Sequence, residues 1–228
     1  MAINLTAYNQ VLAELAPYKA RLVAVSKTKP VEDVEALYAA GQRIFGENYV
    51  QELVDKQAVL PVDIDWHFIG HLQSNKVKYI APFVKMIHAV DSGKLLTEIH
   101  KQAQKNNRVI DCLLQLHIAA EETKFGLDEA ELYSLLDTWQ QEQEQFSGVR
   151  IVGLMAMATN TTDEKQIRKE FHQLHEIFDA VKNKYFSSLD YFKERSVGMS
   201  ADYPLALQEG STMVRIGSLL FGERNYNK

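Results

Sequence analysis

Eight short apolar runs alternate with amphipathic helical stretches along the chain, at intervals of roughly 20–40 residues. That alternation constrains the fold more than any other feature. The runs are Leu22–Ser26, Arg43–Gly46, Trp66–Gly70, Met86–Val90, Val109–His117, Val149–Met157, Arg195–Met199 and Met213–Gly217. A run that is apolar without alternation suits a parallel strand covered on both faces. Each is followed by a helical pattern, such as Val31, Val34, Leu37 and Tyr38 after the first, with Gly41 as its stop. The longest helix runs from Thr162-Asp163 to about Tyr185, with Ile167, Phe171, Leu174, Ile177, Phe178 and Val181 on its buried face. An amphipathic helix carrying Leu5, Tyr8, Val11, Leu12 and Leu15 precedes the series. No Pro/Ser/Gly-rich linker interrupts it, and Glu142–Gln145 is a polar patch read as a frayed helix end. The pattern predicts an α/β fold, a (β/α)8 TIM barrel with an additional N-terminal helix, as one domain over residues 1–228. An open doubly wound sheet is the alternative.

Composition narrows the function classes. Net charge is −5 with both signs interspersed, and no basic block or stripe points to nucleic acid. A single cysteine, Cys112, excludes a disulfide within the chain and suits a reducing compartment, so the cytoplasm is expected. Glu14 and its polar neighbours break any signal-peptide core, and no run approaches the roughly 18 apolar residues of a membrane span.

In parallel α/β folds chemistry gathers at the carboxyl ends of the strands. Lys27 stands at the end of the first, followed by Pro30, which suits a first helical turn. Side-chain alternation puts Val23, Val25 and Lys27 on one face. A lysine at the rim of an apolar interior is partly desolvated, which favours the free amine that a Schiff base requires; otherwise it is a solvated surface residue. Ser196–Asp202 and Val214–Ser218 close the seventh and eighth strands, where barrels often bind phosphate. Gly217 permits close backbone approach, and Ser200, read as a helix cap, and Ser218 add hydroxyl donors. Arg215 interrupts an apolar strand and needs a partner. Closing the barrel brings the first and eighth strands together. A lysine, a phosphate site and an arginine then fit pyridoxal 5′-phosphate: amine to aldehyde, late loops to phosphate, arginine to ring nitrogen.

Other candidates are weaker. His172 and His175 read as a solvated helix face, His67 and His71 as packing or capping residues, and Cys112 as core. Asn48 reads as a cap for the helix carrying Val50, Leu53 and Val54.

The segments Val25-Ser-Lys-Thr-Lys-Pro30, Phe45–Glu52, His67–Gln73, Gly153–Met157, Ser196–Asp202 and Val214–Ser218 closely resemble the YggS/PROSC family of pyridoxal phosphate homeostasis proteins. The resemblance spans nearly the whole chain. It implies a barrel like the N-terminal domain of alanine racemase, with pyridoxal phosphate held as a Schiff base on Lys27. It also implies phosphate and ring contacts from Ser200, Arg215, Gly217 and Ser218, with Asn48 near the lysine. A role in vitamin B6 and amino-acid balance follows, with no catalytic residue. Pyridoxal phosphate itself and apo enzymes that use it are the expected partners, and a monomer the expected state. Only about a dozen residues follow the eighth strand, too few for the second domain a racemase uses. An arginine at the ring nitrogen would also weaken the cofactor as an electron sink. A minimal racemase, an aldolase-type barrel without cofactor and a pure scaffold are the rivals. Lys29 and Lys124 are candidate secondary attachment points.

Overall fold

Continuous apolar runs flanked by helices have one economical solution, a sheet closed on itself with the helices outside. The computed structural model, which describes residues 3–121, 125–142 and 146–222, has that architecture. Helix α1 (Leu5–Leu15) leads into β1 (Arg21–Val25) and α2 (Val31–Ala39), then β2 (Ile44–Glu47), α3 (Val50–Gln57), β3 (Asp65–Phe68) and α4 (Val77–Ile80). There follow β4 (Met86–Val90), α5 (Gly93–Lys105), β5 (Ile110–Leu116), α6 (Glu129–Gln141), β6 (Val149–Ala156) and α7 (Glu164–Tyr185). The last elements are β7 (Glu194–Met199), α8 (Tyr203–Gln208), β8 (Met213–Ile216) and α9 (Ser218–Phe221). The strands pair in sequence order, all parallel, and β8 returns to β1. The open doubly wound alternative is thereby excluded.

Register divides the core in two. Pairs such as Leu22 with Val214 and Phe45 with Trp66 face the helices and join one large outer core. Pairs such as Val23 with Arg215 and His67 with Met86 face inward. The interior holds a separate apolar cluster of Val23, Met86, Leu113, Val152, Met155 and Met213. Between β6 and β7, Gly153 lies so close to its neighbour that an added Cβ would fall 1.8 Å from the Glu194 carbonyl oxygen, so no side chain fits there.

Local chemistry sets the helix ends. Asp163 and Ser92 cap α7 and α5 through side-chain acceptors, and Asp128 forms a capping box with Glu131 on α6. After α2, Gly41 at φ 109° closes the turn while Gly41 N and Gln42 N donate to the Tyr38 and Leu37 carbonyls. Pro30 sits at the N-cap of α2, one place before the expected first turn. In α1 the buried residues are Tyr8, Val11 and Leu15, whereas Leu5 and Leu12 face outward, because only one side of this helix meets the barrel. Residues 143–145 of the polar patch lie outside the described residues.

Candidate functional site

The carboxyl ends of β1, β2, β7 and β8 enclose a cavity of about 280 Å³, and Lys27, Asn48, Ser200, Arg215, Gly217 and Ser218 all line it. Closure of the barrel between β1 and β8 is what brings the earliest and latest of these residues together. A larger groove of about 640 Å³ lies between α5 and α6, away from this set. Its size does not make it the site, because Lys27 and Arg215 both face the smaller cavity.

Lys27 is half-buried, two residues beyond the end of β1. Its loop is fastened on both sides. The Ser26 hydroxyl donates to Glu47 Oε1 at 2.6 Å, and the Thr28 amide donates to Glu52 Oε1 at 2.6 Å. Lys56 joins the two carboxylates, with Nζ 2.7 Å from Glu47 Oε1, Glu52 Oε1 and the Ser26 carbonyl. Thr28 holds a left-handed backbone, φ 63°, a conformation a β-branched residue keeps only when its surroundings impose it. Burial pushes the Glu47 carboxyl up to about 7, against the opposing pull of Lys56. Lys29 also borders the cavity, its Nζ donating to the carbonyls of Phe221 and Gly222 at 2.9 and 3.0 Å and tying the loop to the end of α9. Lys124 lies outside the described residues.

Two expected caps are corrected. The N-cap of α3 is Tyr49, not Asn48; the backbone turns one residue later, and the Asn48 Oδ1 is buried with no hydrogen-bond partner among the described residues. An added Cβ on Gly70 would lie 2.6 Å from the Asn48 carbonyl oxygen, so a glycine there is what lets Asn48 sit where it does. The N-cap of α8 is Asp202, not Ser200, because β7 ends in a tight turn in which Asp202 Oδ1 accepts from the Met199 amide at 2.6 Å. Helices α8 and α9, of 6 and 4 residues, are too short to offer much of a dipole. Anion-binding capacity comes instead from amides: those of Ser200, Ala201 and Gly217 donate to no acceptor among the described residues.

Arg215 is nearly fully buried beneath the cavity. Its Nη1 donates to the carbonyl and the hydroxyl of Ser196, both at 2.6 Å, and its Nη2 donates to the Ala156 carbonyl at 3.0 Å. Burial lowers its pKa to about 10, while Asp202 favours the charged form, so it remains a cation at neutral pH. Behind it, Ser196 Oγ lies 3.0 Å from His88 Nδ1, and His88 Nε2 lies 2.9 Å from His67 Nδ1. Burial lowers the pKa of both imidazoles, that of His67 to about 3, and keeps them neutral. Sequence reasoning did not find His88 or Ser196. For His88 the available signal was a polar residue inside the otherwise apolar strand Met86–Val90; the strand of Ser196, which also carries Glu194 and Arg195, gave no such signal.

The remaining candidates stand apart. His71 stacks on Phe125 and meets Asp91 at 3.1 Å. His175 bonds Arg195, and no metal-ligating cluster occurs among the described residues. Cys112 is fully buried, which pushes its thiol far up and leaves it inert. Among the described residues no helix is long and apolar enough to cross a membrane.

Comparison with known proteins points the same way. The family described as alanine racemase, N-terminal domain, matches residues 4–225. The pyridoxal phosphate homeostasis protein of Aquifex aeolicus is 40% identical over 91% of this chain and 88% of its own. That of Escherichia coli is 36% identical over 93% and 89%. The structure of PipY from Synechococcus elongatus with pyridoxal phosphate bound is 35% identical and superimposes with a TM-score of 0.86, covering 95% of this chain and 99% of that one. Alanine racemase from Streptomyces coelicolor, at 17% identity and a TM-score of 0.74, covers 96% of this chain and 58% of that one, a likeness of fold alone.

Proposed function

Since the chain belongs to the pyridoxal phosphate homeostasis proteins, built on the alanine racemase N-terminal barrel, we propose that it binds pyridoxal 5′-phosphate as a Schiff base on Lys27. It then acts as a carrier or regulator in vitamin B6 homeostasis and amino-acid balance, and not as a catalyst. The observation that carries the reading is one cavity lined by Lys27, Asn48 and Arg215 together with Ser200, Gly217 and Ser218.

The residues fit the cofactor. Among the described residues, Asn48 Oδ1 is a buried acceptor lacking a donor, and the amides of Ser200, Ala201 and Gly217 are donors lacking an acceptor. When bound, pyridoxal phosphate supplies an aldehyde, which condenses with an amine and releases water. Lys27 offers that amine on a loop whose flanking residues are both anchored. Ser200, Gly217 and Ser218 would hold the phosphate, and Arg215 would face the ring. Arg215 donates and cannot accept, so a ring nitrogen opposite it stays unprotonated. An unprotonated ring is a poor electron sink, which favours carriage over catalysis. The cytoplasm is the expected compartment, and apo enzymes that need the cofactor are the expected recipients.

The test is a visible spectrum of the purified protein, then borohydride reduction and peptide mapping. A yellow protein with its pyridoxyl group on Lys27, and no interconversion of amino-acid enantiomers, is expected. A protein that takes up no added pyridoxal phosphate would overturn the binding, and enantiomer turnover would overturn the carrier role.

A further inference from the structure

The barrel interior contains a polar chain that the cofactor reading does not use. His67, His88 and Ser196 come from β3, β4 and β7, and none exceeds 2% exposure. With Arg215 on β8 they form one hydrogen-bonded line across the barrel. The direction of its protons follows from valence. Arginine only donates, so Ser196 Oγ accepts from Arg215. The hydroxyl's other partner among the described residues is His88 Nδ1, so the hydroxyl proton goes there. His88 is neutral and accepts at Nδ1, so its proton sits on Nε2 and is donated to His67 Nδ1. Every donor points away from Arg215, and each tautomer fixes the next.

Stability alone does not call for such a chain. Buried polar groups cost free energy unless fully bonded, and an apolar pair filling the same space is often no worse. What the chain adds is order at its end. A serine hydroxyl rotates freely unless an acceptor takes its proton. With that proton held by His88, a lone pair of Ser196 faces Arg215 and adds a side-chain acceptor to the Ser196 and Ala156 carbonyls that hold the guanidinium.

We propose that Ser196, His88 and His67 are positioning residues for Arg215, holding its guanidinium in the one orientation that faces the ring of the bound cofactor. They thereby set the affinity and the absorbance spectrum of bound pyridoxal phosphate from inside the barrel. This rests on the cofactor reading above.

The experiment compares wild type with Ser196→Ala and His88→Met by pyridoxal phosphate titration, visible spectroscopy and thermal melting of the apo protein. Both variants should bind pyridoxal phosphate about tenfold more weakly, the cost of one hydrogen bond to a charged group. Both should shift the cofactor absorbance band, with borohydride still labelling Lys27. A lowered melting temperature with wild-type affinity and spectrum would overturn the proposal, because a purely structural role moves only the first. Should either variant not fold, His67→Gln and His67→Leu carry the test. The glutamine can accept from His88 Nε2 and should bind as wild type, the leucine should not, and equal behaviour of the two would refute the chain. If wild type itself forms no adduct on Lys27, it is the cofactor reading that has failed.

Discussion

The neutral interior histidines make acid sensitivity a quantitative consequence of the fold, and His67→Gln isolates it. Burial holds the folded His67 imidazole at about 3, against 6.5 for the exposed group. The unfolded chain therefore binds the extra proton between those values. The stabilising contribution is complete above about pH 6.5 and is lost as the pH falls towards about 3. One pKa unit is worth about 1.4 kcal/mol. Relative to about pH 7.5, His67 alone should remove roughly 0.8 kcal/mol at about pH 6 and about 2 kcal/mol at about pH 5. Glu47 acts with the opposite sign: its raised carboxyl, at about 7 against 4.5, makes stability fall as the pH rises between those values. A wild-type pH profile alone would mix the two. Glutamine at position 67 keeps an acceptor for His88 but does not titrate, and Glu47 is common to both proteins and cancels to first order. Urea unfolding of both apo proteins at about pH 7.5, 6 and 5 gives the double difference. Wild type should lose about 2 kcal/mol more than His67→Gln between about pH 7.5 and about pH 5. A difference that stays constant within about 0.5 kcal/mol would refute the neutral interior pair.

Other perturbations have equally definite outcomes. Lys56→Met leaves Glu47 buried without its counter-charge and should cost about 3–5 kcal/mol by urea unfolding, much of which Glu47→Gln in the same chain should restore. A cost below about 1 kcal/mol would mean that the carboxylates need no partner. Phe192, fully buried, stacks 4.1 Å from Phe186 and 4.9 Å from Phe178 by ring centroids. Phe192→Ala should therefore destabilise by about 3–5 kcal/mol, with cofactor uptake retained in the folded fraction. Gly70→Ala places a methyl 2.6 Å from the Asn48 carbonyl oxygen and must displace that residue, so weaker pyridoxal phosphate binding is expected; unchanged affinity would remove Asn48 from the site.

The eight strands were legible in sequence because strands covered on both faces leave uninterrupted apolar runs, and no boundary moved by more than two residues. A helix start was legible where the helix was the only claimant on the side chain, as at Thr162-Asp163, where Asp163 is the N-cap. The rule failed at Asn48 and Ser200, which follow strands directly and line the cavity instead of bonding to a helix end. Local rules weigh a side chain only against its neighbouring backbone, so a residue turned towards a site looks like an unused cap. The interior chain escaped for a different reason. Its links span 21, 108 and 19 residues and exist only once β3 meets β4 and the barrel brings β4 and β7 face to face. The clamp on the Lys27 loop is similar, for Glu47, Glu52 and Lys56 converge on it only after β1 pairs with β2 and α3 folds back. Residues at strand ends can be named from their chemistry and position alone. Those that hold them in place depend on inward register, which a sequence reveals only as an unexpected polar residue in an apolar run. His67 and Arg215 carry that mark, and of these Arg215 alone was read by it; Glu47 instead lies on the helix-facing side of β2 with Phe45, where it meets Lys56.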